Sequence, residues 1–339
     1  MRGLPPLFSM WKLGNYQIES KVVLGPMAGI TFKSYREFMS HFGFGVCVTE
    51  MVSDMGLIYG NKETEEYVSF KKGNYLTGVQ LFGHEPENVK KAAEIALKLN
   101  PNIDFFDFNM GCPVPKVTNA GAGSALMKNP KLCGDIIRAI KEVTDLPVSA
   151  KIRLGWDNNS INYLEVIKEL EEAGVDMIAI HSRTRKELYS GEPHHDLLKD
   201  LRKKMSVPLV ISGNIYTLDD AINAMNITGA DAVMVARGGI GNPFLLKQIE
   251  QYYKDGTRLE SPSLKEQLEW CYELGCKIAE DKGESSGMRI YRAIAPKFVI
   301  GIPNAKKYKN RLCTELVDLK SLEVILKDIA NDNEIEFSL

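Results

Sequence analysis

Short apolar runs alternate with amphipathic stretches along most of the chain. The runs are Val22–Gly25, Val46–Glu50, Gly78–Phe82, Phe105–Asn109, Pro147–Ile152, Met177–His181, Pro208–Ser212 and Ala232–Ala236. Most are continuously apolar, as strands covered on both faces are. Between them the spacing predicts helices over Lys33–His41, Pro86–Leu99, Pro130–Val143, Ile161–Ala173, Leu197–Lys204 and Leu218–Met225, with a shorter one at Lys62–Tyr67. Eight strands with crossovers over about 235 residues predict an α/β fold, a (β/α)8 TIM barrel. A doubly wound open sheet competes, but the first strand runs into Gly25-Pro26-Met27-Ala28-Gly29, not into a GxGxxG fingerprint. From Leu264 onward the strands stop, and helices are expected over Leu264–Asp281, Ser286–Ile300 and Thr314–Asn331. The expected organisation is a barrel over residues 1–255 and a C-terminal all-helical domain over 256–339, joined near Gly256–Pro262.

Composition adds exclusions. With 44% apolar residues the chain can bury a core without disulfides or metals. A net charge of −2 gives no bulk field for a polyanion, so a nucleic-acid site must be a local patch. No apolar stretch is long enough to span a membrane. Met1–Asn15 lacks a continuous apolar core and a small-residue cleavage site, so a cytoplasmic location is expected. The six cysteines are scattered without a close CxxC pair, so neither a metal site nor a disulfide framework is expected.

In such a barrel the chemistry lies at the C-terminal strand ends. Those ends carry Pro26-Met27-Ala28, Gln80, Asn109 and Cys112, Lys151 and Arg153, His181, Ser212-Gly213-Asn214 and Ala236-Arg237-Gly238-Gly239. The last two groups suit a phosphate: glycines allow close backbone approach, and Asn242-Pro243 reads as the cap and first residue of a short helix aimed there. Glycines in such places also serve simply as turns. Lys151, in an otherwise apolar strand, needs an anion, either a carboxylate or a ring that gains negative charge. His181 is equally open to a structural or a functional role. Cys112, in Asn109-Met110-Gly111-Cys112-Pro113, sits on an irregular loop with little to pack against. A thiol of ordinary pKa, about 8.5, is protonated at pH 7 and can donate a proton. The other five cysteines read as packing, and His194-His195 reads as surface.

At this point the motifs resemble a family. Gly25-Pro26-Met27-Ala28-Gly29, Val79-Gln80-Leu81-Phe82-Gly83, Asn109-Met110-Gly111-Cys112-Pro113, Lys116-Val117, Ala150-Lys151-Ile152-Arg153-Leu154-Gly155, His181-Ser182-Arg183-Thr184-Arg185 and Ala236-Arg237-Gly238 occur in the order found in tRNA-dihydrouridine synthases. The likeness is nearest to the bacterial B-type branch and covers residues 20–315 approximately. It implies an FMN enzyme, with NADPH (or NADH) as electron donor, that reduces uridine in tRNA. Carried over by position, Pro26, Met27 and Ala28 lie along the flavin, Gln80 meets its pyrimidine edge and Lys151 faces the end that becomes negative. His181, Ser212, Gly213, Asn214, Ala236 and Arg237 hold the ribityl phosphate. Cys112 is the acid that protonates C5, Asn109 orients the base, and Arg183 and Arg185 meet RNA. Where the family often has Asn-Gly-Asp this chain has Ser212-Gly213-Asn214, and Ser182 stands where a glycine often follows the histidine.

Between Lys282 and Arg311 the tail carries eight basic residues (Lys282, Arg289, Arg292, Lys297, Lys306, Lys307, Lys309, Arg311) against one acid, Glu284. Such a cluster is either a solvated face or a phosphate-binding surface. Beside a flavin barrel it is the expected tRNA contact. The competing functions are a dihydroorotate dehydrogenase-like enzyme of a free pyrimidine, a non-catalytic RNA-binding barrel and, more distantly, a flavin-free barrel lyase or isomerase. Salt-sensitive binding of whole tRNA, but not of uracil or orotate, separates the first from the expected activity. Protein that takes up no FMN supports the second.

Overall fold

The computed structural model describes residues 9–337; part of the Met1–Asn15 segment read above lies outside them. A hairpin of β1 (Trp11–Leu13) and β2 (Tyr16–Ile18) precedes eight parallel strands: β3 (Val22–Leu24), β4 (Val46–Ser53), β5 (Leu76–Phe82), β6 (Phe105–Met110), β7 (Val148–Arg153), β8 (Met177–His181), β9 (Leu209–Ser212) and β10 (Ala232–Val235). They close in the order β10-β3-β4-β5-β6-β7-β8-β9, a TIM barrel. Every expected strand forms to within a few residues.

The twofold period of a strand sorts the barrel interior into layers. Residues Val23, Val46, Phe105, Met177, Val210 and Ala232 form an apolar lower layer, on which Trp11, Leu13 and Ile18 of the hairpin pack. Gly78 leaves room for the Phe105 ring, which a Cβ at that position would overlap. Two residues further along, the register pairs Gln80 with Asp107 and Asp107 with Ser149, so the interior turns polar toward the C-terminal end.

The helical region after Leu264 departs in detail from expectation. The helix at Leu264–Lys282 starts on a capping box of Ser263 and Glu266, legible as Ser-x-x-Glu. The stretch expected as one helix at Ser286–Ile300 is a helix at Glu284–Tyr291 and a 3-10 turn at Ala295–Phe298; Pro296, inside the expected helix, cannot donate to its ladder. Asp318 caps a helix at Leu319–Asp332, so the helix expected from Thr314 starts later. A separate helix at Ala305–Thr314 carries Lys306, Lys307 and Lys309. Within the barrel, Leu197–Lys204 is two 3-10 turns broken at Asp200, whose φ is 55°. Pro243, not Asn242, occupies the cap of the helix at Phe244–Asp255, and no side chain caps it.

The tail packs on the barrel's first and last helices. Trp270 meets Phe42 edge-on at 5.0 Å and stacks near Phe244 at 5.7 Å, while Ser34 donates to Asp281 at 2.9 Å. One apolar cluster runs from Leu24 in the barrel to Leu326 in the tail. Among the described residues no helix is long and apolar enough to cross a membrane.

Candidate active site

The C-terminal strand ends surround a cavity of about 420 Å³, a size typical of small-molecule and cofactor sites. Every residue expected to meet the cofactor lines it, from Pro26-Met27-Ala28 after β3 round to Ala236-Arg237 after β10, together with Asn109 and Cys112.

Its floor is a polar network. Asp107, 2% exposed, accepts from Gln80 Nε2 at 2.6 Å and Ser149 Oγ at 2.5 Å. Gln80 Oε1 accepts from Asn109 Nδ2 at 2.9 Å, so the carboxamide orientation of Gln80 is fixed and leaves one N–H to present to a ligand. Burial raises the Asp107 carboxyl, opposed by those two donors and by Lys151. Lys151, two residues beyond Ser149 on the same strand face, is pushed down to about 8 by burial and by Arg153. Among the described residues its ammonium makes no hydrogen bond or ion pair. An ammonium so placed calls for an anionic ligand.

The next layer is cationic. Arg153 and His181 are register partners, and both line the cavity. Burial and the charges of Arg153, Lys151, Arg183 and Arg237 hold His181 well below its ordinary pKa, so the ring is neutral. Arg183 Nη1 lies 3.2 Å from His181 Nε2; since arginine can only donate, Nε2 accepts and the proton resides on Nδ1.

The turn after β9 is held from beneath. His195 is buried, with Nδ1 3.0 Å from Ser182 Oγ and Nε2 donating to the Gly213 carbonyl at 3.2 Å. This corrects, for His195, the expectation that His194-His195 is surface; the His194 side chain is partly exposed. His195 also gives Ser182, at the family's usual glycine, a partner. Gly213 has φ 133° and Asn214 φ 48°, and Asn214 Oδ1 accepts from Arg183 at 3.0 Å and Arg237 at 3.3 Å. A Cβ on Gly213 would lie 2.8 Å from Ser182 Oγ, and one on Gly238 would overlap the Ile215 carbonyl. The two turns therefore pack against each other and against Ser182 too closely for side chains, and Gly213, Asn214, Ala236, Arg237 and Gly238 line the cavity there, an arrangement that suits a phosphate.

Cys112 is 8% exposed and held by its backbone. Its N–H donates to Asn109 Oδ1 at 2.8 Å, and its carbonyl accepts from Ser124 Oγ at 2.9 Å. Arg153 Nε donates to the Gly111 carbonyl at 2.8 Å, and its Nη1 donates to Thr184 O and Leu188 O, each at 2.8 Å. This fully buried arginine joins the thiol loop to the loop after β8.

Other expectations are redistributed. Arg183 is buried, its donors committed to Ser190 O, Gly191 O, His181 and Asn214, so it positions the site rather than meeting RNA. Arg185 is half-buried over the Trp156 ring. Cys313 is exposed rather than packed. In the tail, Arg311 pairs with Glu315 and Asp328, Lys307 with Asp332, and Lys282 with Glu66, so acids distant in sequence offset part of the charge. Arg292 donates to Leu316 O and Arg289 to Ser285 O, whereas Lys297, Lys306 and Lys309 have no such partner among the described residues. Lys297 lies against the loop after β10, where a Cβ on Gly241 would overlap its backbone.

The sequence reading missed Asp107, Tyr189, Tyr216 and Glu50. Asp107 was detectable as a carboxylate two residues before Asn109 in a buried strand. Tyr189 and Tyr216 flank the Arg237 guanidinium at 4.7 and 5.8 Å from loops that periodicity does not reach. Glu50, at an irregularity of β4 between Val48 and Met51, accepts from Gly29 N–H and so fixes the loop of Pro26–Ala28.

The position of Lys151 yields a prediction. Lys151→Met is expected to raise the Tm of the ligand-free protein at pH 7. Because its folded pKa is about 8 against an ordinary 10.5, the unfolded chain holds more protons between those values. The destabilisation is complete below about pH 8 and fades as pH rises toward 10.5. The Tm gap between the variant and the parent should therefore shrink from pH 7 to pH 10; a parent as stable as the variant at pH 7 would contradict the assignment.

The family model described as "Dihydrouridine synthase (Dus)" matches residues 23–332. A "Probable tRNA-dihydrouridine synthase" of Rickettsia conorii is 35% identical over 88% of this chain and 90% of its own length. Proteins described as "tRNA-dihydrouridine synthase B" from Pasteurella multocida and Vibrio vulnificus are 31% and 30% identical over 95% and 94% of this chain, and over 98% and 100% of their own lengths. A solved 2-naphthoyl-CoA reductase complex aligns with a TM-score of 0.57 at 14% identity, over 98% of this chain and 70% of that one, a likeness of fold.

Proposed function

Since this chain belongs to the dihydrouridine synthase family, in its B-type branch, we infer that it uses a bound flavin to reduce the C5–C6 double bond of uridine in tRNA. The observation that carries this reading is the cavity itself: one wall bears a thiol on a fixed loop, and across from it two close-packed glycine turns lie among cations. We assign the flavin as FMN. The cradle of Gly213, Asn214 and Ala236-Arg237 would take its phosphate with His181, Lys151 would face the ring edge that gains negative charge, and Gln80 would meet the pyrimidine edge. Pro26, Met27 and Ala28 would line the ring. When bound, the flavin supplies hydride to uracil C6 and is recharged by NADPH or NADH.

Cys112 gives its thiol proton to C5, and the thiolate left behind, offset by Lys151 and Arg153 in the same cavity, recovers a proton from solvent. Asn109 holds that loop through the Cys112 N–H. A base must leave its stack to reach this depth, at a cost of a few kcal/mol, which a poorly stacked tRNA loop lowers. The tail, residues 256–339, is the RNA-binding part, and the enzyme acts in the cytoplasm where tRNA is.

Position-by-position mass spectrometry of cellular RNA with and without the gene tests the activity; dihydrouridine unchanged at every position would refute it. For the tail, reversing Lys297, Lys306 and Lys309 to Glu should weaken tRNA binding and lower its salt slope by about 2 to 3, with flavin content unchanged. An unaltered slope would remove the tail from RNA recognition.

A further inference from the structure

A second group of cations stands on the barrel rim, outside the cavity. Trp156, in the loop after β7, meets two of them: Lys128 Nζ is 3.4 Å and Arg185 Cζ 4.5 Å from the ring centroid. The three residues come from three separate loops, after β6, β7 and β8, all on the face where the cavity opens. No carboxylate among the described residues pairs with Lys128 or Arg185. The neighbouring acids are committed elsewhere: Asp157 to Lys186 at 2.9 Å, and Glu187 to His194 and to Thr184. Arg185 Nε is buried with no hydrogen-bond partner, and its Nη2 makes one long contact, 3.4 Å, to Thr118 Oγ1. Thr118 ends the short helix Pro115–Thr118 that directly follows the Cys112 loop, and exposed Lys116 lies in that helix.

We propose that Lys128, Trp156 and Arg185 form a ridge that binds backbone phosphates of the RNA next to the nucleotide entering the cavity. The ring attracts both cations over its faces, which holds two like charges side by side with donors unspent. A ring whose face already carries an ammonium offers no room for a stacked base, so the surface reads charge rather than base identity. Its place in the barrel matters as well. Around the closed order of strands, β6 lies four positions from β10, diametrically across the mouth, and β7 and β8 lie three and two positions from it, so the ridge starts at the far side with Lys128 and runs back along the rim. The tail meets the rim at Gly241, just after β10. RNA seated on the tail and feeding a base past Cys112 would carry its flanking phosphates onto the far rim, where this ridge stands.

The inference rests on the tRNA-reducing reading above. The test uses flavin-loaded full-length protein and whole tRNA, with affinity measured as a function of salt. Lys128→Glu, at an exposed position, is expected to weaken binding about tenfold at 0.1 M salt and to lower the salt slope by about 1, the value for one phosphate contact. Trp156→Leu should weaken binding too, and Trp156→Phe should restore most of it, because a phenyl ring still attracts cations. Unchanged affinity and slope for Lys128→Glu, with parent protein that binds tRNA, would overturn the ridge alone. Parent protein that binds no tRNA would instead overturn the tRNA-reducing reading. Slower flavin reduction by NADPH in Lys128→Glu, with tRNA affinity intact, would assign the ridge to the dinucleotide's phosphates and also overturn the proposal.

Discussion

Cys112→Ala is expected to keep its flavin and its tRNA affinity and to form dihydrouridine about 10²- to 10⁴-fold more slowly, the usual contribution of a positioned acid. The change should be clean because the loop is not held by the sulfur. Asn109 and Ser124 grip its backbone, and Arg153 grips the neighbouring Gly111 carbonyl. Alanine leaves each of those bonds in place. Single-turnover reduction of tRNA by enzyme reduced beforehand is the measurement, since it isolates the protonation from recharging. Cys112→Ser, which retains a hydroxyl of much weaker acidity, should fall nearer to alanine than to the parent. Product formation by Cys112→Ala at close to the parent rate would take the thiol out of the acid role.

Gly238→Ala carries the other large effect. A methyl group there would overlap the carbonyl oxygen of Ile215, which is backbone and cannot rotate away. The turns after β9 and β10 must then separate, and the pocket proposed for the phosphate opens with them. Loss of flavin affinity by at least a hundredfold is expected, read by titrating flavin into protein stripped of it. The control is Gly191→Ala. Unlike Gly238, this glycine has a positive φ, 67°, but a Cβ there meets nothing within 4 Å, so only about 1 kcal/mol of backbone strain arises. Gly238→Ala protein that is folded by circular dichroism and binds flavin normally would show that the cradle does not depend on this close approach.

The barrel was legible because its strands are buried on both faces and therefore read as uninterrupted apolar runs. The site was legible because closure of the barrel brings the strand ends together whatever the loops do. The hairpin was missed although Gly14-Asn15 between Trp11-Lys12-Leu13 and Tyr16-Gln17-Ile18 is a two-residue turn signal; three-residue strands are too short for periodicity to register. Arg183 and His195 show a deeper difficulty. Their partners are the carbonyls of Ser190, Gly191 and Gly213, and a sequence does not display where backbone oxygens will point. The tail shows the same limit for charge. A sum taken along the chain from Lys282 to Arg311 cannot include Asp328 and Asp332, which the next helix folds back against it.

The hairpin plug also constrains traffic through the enzyme. Trp11, Leu13 and Ile18 pack over an apolar layer at the lower end of the barrel, so among the described residues that end is filled and the cavity opens at the other. A small electron donor and the nucleic acid would then reach the flavin from the same side. A macromolecule spread over that side would shut out the donor until it leaves, and each visit by RNA would use a charge loaded beforehand.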